Sequence, residues 1–123
     1  MTDTASVKRD LEALEKIQAD LAALAKRTDD GRRHELIQHR RLLSTQIAVL
    51  GELCEPLFEA GSEDHRQFRQ YYSKMRSATA LHQAEWPAVR LGEFDEGYRR
   101  SASGVHAANQ AFVTWLRQKL ESL

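Results

Sequence analysis

The sequence predicts an all-α protein: an antiparallel four-helix bundle, up-down-up-down, with residues 1–123 forming one helical-bundle domain. Three observations predict it. Apolar residues recur at steps of three and four in four successive stretches, the spacing that gathers them on one side of an α-helix. Ala, Leu, Glu, Gln, Arg and Lys dominate, and all are good helix formers. The segments between the stretches are short, and short connections make neighbouring helices antiparallel.

The first helix is predicted over about residues 4–27. Val7, Leu11, Leu14, Ile17, Leu21 and Leu24 form its stripe. Asp3 or Thr4 is placed to cap its start, and Lys26 and Arg27 suit the negative end of its dipole. Thr28-Asp29-Asp30-Gly31 reads as a turn. The second helix is predicted over about 32–57, with Leu36, Leu43, Ile47, Leu50, Cys54 and Leu57 on its stripe. Pro56 lacks an N–H to donate, so a kink or an early end belongs there. Gly61 then stops the chain, and Ser62 caps a third helix that opens on Glu63 and Asp64.

The third helix is predicted over about 63–86, with Phe68, Tyr72, Met75, Thr79, His82 and Trp86 recurring at steps of four and three. Pro87 ends or bends it, and Gly92, Asp95 and Gly97 bracket a short connection. The fourth is predicted over about 96–120, with Tyr98, Ala102, Val105, Asn109, Phe112, Leu116 and Leu120 marking its buried side. Gly51 and Gly104 fall inside helices, where Gly costs about 1 kcal/mol against Ala; close approach of a neighbouring helix is the expected reason. The four apolar faces can satisfy one another within one chain or be shared across a homodimer.

Lys plus Arg and Asp plus Glu each number 18. A protein that holds phosphate backbones usually carries a basic excess, so nucleic acid is not an expected partner. Cys54 is the single cysteine, which leaves no intramolecular disulfide and no need for an oxidising compartment. The residues from Met1 to Asp10 lack the apolar stretch of a secretion signal. No apolar run approaches the roughly 20 residues that span a bilayer. No membrane is therefore expected, and the expected address is the cytoplasm.

The histidines are the first candidate chemistry. His82 and Glu85 are three apart, so they project from nearly one face of the third helix. Counting from turns near residues 30, 60 and 92 at the helical rise of about 1.5 Å per residue puts Asp20, His39, His82, Glu85 and His106 at similar heights. His65 falls near the opposite end. Imidazoles and carboxylates converging inside a bundle are how carboxylate–histidine metal sites are built. His39-Arg40-Arg41-Leu42-Leu43, then His82-x-x-Glu85 with Trp86-Pro87-Ala88, then His106, resemble a hemerythrin-type bundle. The resemblance implies metal ligands at His39, His82, Glu85 and His106 and iron, or else zinc, as the ion. The pattern departs from that family in its short histidine-to-glutamate spacing and in offering no second bridging carboxylate.

Basic residues are the second constellation. Arg66, Arg69, Lys74 and Arg76 decorate the third helix with no acid between them, with Tyr71 and Tyr72 interleaved. An acidic partner or a nucleic acid would suit such a patch, as would plain solvation of a helix face, which is the commoner case. Phe112, Trp115 and Leu116 give the last helix a broad apolar side. Where exposed, that side is a surface for a protein partner; where buried, it is core. Asn109 lies on the same stripe, where a lone polar residue often fixes register or oligomeric state.

Cys54 reads as core, and no Gly-rich phosphate loop, C-x-x-C pair or strand-turn-helix nucleophile elbow is present. The leucine pattern from Leu11 to Leu24 and from Leu36 to Leu50 resembles the helical hairpin of flagellar and type III export chaperones. The expected function is thus a non-enzymatic protein-interaction module, an adaptor, small regulator or chaperone-like bundle without a cofactor. Its partner surface is placed at Phe112, Trp115, Leu116, Arg66, Arg69 and Arg76. The alternative is the metal-binding or redox-sensing bundle.

Overall fold

The computed structural model describes residues 4–123. Four long helices form it: α1 (Thr4–Leu24), α2 (Arg32–Cys54), α3 (Glu63–Glu85) and α4 (Glu96–Glu121). Two short 3-10 segments, Glu55–Leu57 and Ala88–Glu93, follow α2 and α3. The described residues contain no strand. The helices run up, down, up and down, with α1 packed closely on α2 and α3 on α4. The molecule is two helical hairpins laid against each other.

The ends of the helices follow local chemistry. Any cap from Asp3 lies outside the described residues. α1 stops at Leu24, short of the predicted Arg27. After it, Lys26 N donates to Ala23 O and Arg27 N to Leu24 O, a tighter three-residue winding that ends a helix. The Arg27 guanidinium turns to Asp29, at 2.6 Å, and to Glu35. It holds the Asp29 carboxyl down to about 2 and fastens the first loop to α2.

α2 ends at Cys54, and Pro56 sits in the first turn of the 3-10 segment that follows, where its missing N–H is harmless. Gly61 takes φ of 82°, a left-handed turn open to glycine without strain. Ser62 Oγ then accepts from His65 N at 3.1 Å, the predicted N-cap. Asp95 Oδ1 accepts from Gly97 N at 2.9 Å and from Tyr98 N at 3.3 Å, capping α4.

One half of the bundle is densely packed. It lies toward the α2–α3 turn and holds Val7, Leu11, Leu50, Cys54, Phe68 and Met75, all at most 1% exposed. Phe58 joins Phe68 and Trp115 at ring separations of 5.6 and 5.4 Å, in the range where aromatic pairs attract beyond their burial. Trp115 Nε1 donates to Gln67 Oε1 at 3.0 Å, so the buried indole keeps its partner. Gly51 lies under the Tyr72 ring, and Tyr72 Oη donates to Ile47 O at 2.9 Å. A Cβ on Gly51 would come within 2.6 Å of the phenol carbon that bears the hydroxyl. Close approach therefore explains this glycine. Gly104 has open space around it, so the same explanation fails there.

Candidate functional site

The other half of the bundle, toward the α1–α2 loop and the α3–α4 connection, is not filled. It leaves a partly open cavity of about 480 Å³ between the two hairpins, within the range of small-molecule sites, with Ala22, Ala25, Arg99, Ser103 and His106 exposed along its lining. Each helix brings a polar seam residue to its wall, Gln18 from α1, Arg40 from α2, Thr79 from α3 and Asn109 from α4, and α3 and α4 add His82, Gln83, Tyr98, Arg99, Ser103 and His106. Leu21, Leu36, Leu43, Ala102 and Val105 supply apolar surface between them.

Three of the four seam residues interrupt apolar stripes. Gln18 falls between Leu14 and Leu21, Arg40 between Leu36 and Leu43, and Asn109 between Val105 and Phe112. In each case a polar side chain stands four after one apolar residue and three before the next, so helical geometry turns it inward. Thr79 satisfies itself, its Oγ1 donating to Met75 O at 2.9 Å. The others do not. Asn109 is 0% exposed, and its Nδ2 donates to Val105 O at 2.8 Å, but its Oδ1 has no partner. Both amide atoms of Gln18 and Nη2 of Arg40 are also buried and unpaired. Buried polar atoms are nearly always bonded, so four such atoms in the layer around one cavity mark a place where the chain does not complete its own hydrogen bonding.

An aromatic cluster closes this end. Phe94 stacks on Tyr98 with ring centroids 4.0 Å apart, and Trp86 meets both edge-on. The Arg90 guanidinium lies 4.9 Å from the Trp86 ring, a cation–π contact. His82 packs 5.2 Å from Tyr98, and its Nδ1 is 2.7 Å from Ser101 Oγ. Burial, followed by the nearby Arg40 charge, pushes the His82 imidazole down to about 4, so it is neutral near pH 7. Burial also raises the Tyr98 phenol, which keeps its proton.

The predicted histidine layer forms at the expected height but not on one face. His82 and His106 line the cavity. His39 instead turns to α1: its Nδ1 bonds Glu35 O at 2.8 Å and its Nε2 lies 3.7 Å from Asp20. Glu85 is exposed. The reason is rotation by one residue, about 100° on a helix, which brings in Arg40 where His39 was expected. Among the described residues no three His, Cys, Asp or Glu side chains come together to hold a metal ion. The set His39, His82, Glu85 and His106 is therefore not assembled, and nothing in the donor geometry fits iron or zinc. His65 lies at the far end, as expected, with Nε2 at 2.7 Å from Glu55.

The expected partner surface also changes. Phe112 and Leu116 are 0% exposed and Trp115 is 7% exposed. They are core, because α4 turns this broad side onto α3 and the α2–α3 turn. Arg66 is paired with Glu63, and Arg69 reaches Glu55 at 2.8 Å. Acids absent from the run itself thus neutralise part of the basic patch from one turn earlier and from the preceding segment; Arg76 stays exposed. Cys54 is buried in the core, and burial pushes its thiol up to about 12, which leaves it protonated and unreactive. No helix among the described residues is long and apolar enough to cross a membrane.

Neither the family models, nor the curated proteins, nor the solved structures compared with this chain give a match, so its function is argued from this geometry.

Proposed function

We propose that the chain is a non-enzymatic binding module whose recognition site is the cavity between the two hairpins. One observation carries the reading: buried, unpaired polar atoms of Gln18, Arg40 and Asn109 lie around one pocket, whose wall combines leucine, alanine and valine with further polar side chains such as His82, Gln83 and Ser103. Leaving such atoms unbonded costs about 1–3 kcal/mol each. A water relieves such an atom where two to four polar partners surround it, whereas one bound molecule can answer several of them at once while covering the apolar part of the wall. A small molecule with an apolar body and a few polar atoms satisfies both parts of the wall. The side faces of the helices offer less: the apolar anchors of α4 are core, and two of its candidate arginines on α3 are already paired.

Fluorescence of N-phenyl-1-naphthylamine, a neutral apolar dye, tests this reading. Saturable enhancement at one dye per chain is expected. Ala102→Trp, which fills the cavity from α4, should abolish it while far-ultraviolet circular dichroism stays helical. Unchanged dye binding by this variant would place the dye elsewhere and defeat the reading.

A further inference from the structure

The chemistry of the occupant can be read from what the cavity wall contains and lacks. Two arginines, Arg40 and Arg99, and two histidines line it, and no aspartate or glutamate does. Arg99 already lies 3.2 Å from Glu96. Asp20, the acid that α1 brings to this height, is turned to Lys16 and His39. Arg40 has no ion pair among the described residues. Its guanidinium keeps its charge at any ordinary pH, although burial works against that charge. Arg40 is half-buried, and an unpaired charge partly withdrawn from water is costly for a fold to retain. Here it is retained at the rim of a hollow that can admit a partner; Arg40 also borders a shallower surface depression with Ile37, Arg41 and Pro87. The second requirement comes from Asn109. One N–H of its amide is given to Val105 O, while its Oδ1, an acceptor, has no partner and calls for a donor.

We propose that the cavity binds a small organic anion: an apolar body of aryl or alkyl groups, a single carboxylate or sulfonate head held by Arg40, and an N–H or O–H that donates to Asn109 Oδ1. This rests on the cavity being the recognition site. A matched pair of dyes separates the two claims. 8-Anilinonaphthalene-1-sulfonate has the rings and the N–H of N-phenyl-1-naphthylamine and adds only the sulfonate. The wild-type chain should bind one sulfonate dye per molecule about tenfold or more tightly than the neutral one, because a desolvated ion pair is at stake. Arg40→Met keeps the apolar stem and removes the charge. It should weaken the sulfonate dye about tenfold or more and change the neutral dye by less than about twofold. Without dye, this variant should unfold at a higher temperature than the wild type, since a half-buried charge with no ion pair has been removed.

Equal affinity for both dyes would overturn the anion assignment. So would an unchanged preference in Arg40→Met, or a lower unfolding temperature or failure to fold for that variant, which would make Arg40 a structural residue. In those cases the cavity reading stands as long as the neutral dye binds and Ala102→Trp blocks it. If neither dye binds at one per chain, the cavity reading itself falls and this inference with it.

Discussion

Single residues divide this protein into a half that is complete and a half that is not. In the packed half each polar group has its answer: Trp115 Nε1 on Gln67, Tyr72 Oη on Ile47 O, and Gln46 Nε2 on the carbonyl and carboxylate of Asp10 at 2.9 Å each. In the open half the answers are missing for Gln18, Arg40 and Asn109. The two helix-interior glycines differ for a separate reason: Gly51 lies under a neighbouring ring and Gly104 on an exposed face of α4. Gly51→Ala would press a methyl group into the Tyr72 ring, which is itself stacked on Phe68 at 5.6 Å. Such overpacking typically costs about 1–3 kcal/mol. Gly104→Ala meets nothing within 4 Å and should stabilise by about 0.5–1 kcal/mol through helix propensity. Urea unfolding of both variants should therefore move the midpoint in opposite directions. Equal shifts would mean that the two sites do not differ in packing.

At the scale of elements, the helices were legible because their causes are local. Steps of three and four fixed all four, Ser62 and the Gly61 turn fixed where α3 starts, and Pro56 marked where α2 gives out. The first boundary was less legible, since α1 ends early through Arg27 reaching Asp29 and Glu35, and no spacing rule announces that contact. Phe112 and Leu116 fall on the predicted buried side of α4, yet with Trp115 they also suited a partner surface, because a broad apolar face serves a core and a partner equally well. Phe112 settles it: at 0% exposed, it stands 6.4 Å from Phe68 and 6.0 Å from Tyr72, centroid to centroid. Phe112→Ala should accordingly cost about 3–5 kcal/mol of stability, as truncated core aromatics do. Calorimetry should show a large drop in unfolding temperature. A variant as stable as the wild type would return this face to the list of surfaces free for a partner.

For the whole molecule, the heights of side chains were legible and their facing was not. Counting residues from the turns placed the right layer in the right half of the bundle. A count carries an error of a residue or so, and one residue is about 100° of rotation, enough to exchange Arg40 for His39. The signal that would have corrected it lies in the stripes themselves. Gln18, Arg40 and Asn109 each interrupt an apolar seam at the same offset, and of these Asn109 alone was singled out by its position. Read together, the three interruptions describe a layer in which hydrophobic packing gives way to a polar-edged hollow. The physical account is that burial of the stripes in one half holds the bundle together. The other half is thereby able to keep open a cavity with unanswered polar atoms. The experiment that bears most directly on this is a nuclear magnetic resonance titration with 8-anilinonaphthalene-1-sulfonate. The side-chain amide signals of Gln18 and Asn109 and the Nε–H signal of Arg40 should shift and saturate together at one dye per chain. The amides of Gln46 and Gln67 and the indole N–H of Trp115 should stay in place. Shifts centred on Gln67 and Trp115, with Gln18, Arg40 and Asn109 unmoved, would contradict the account.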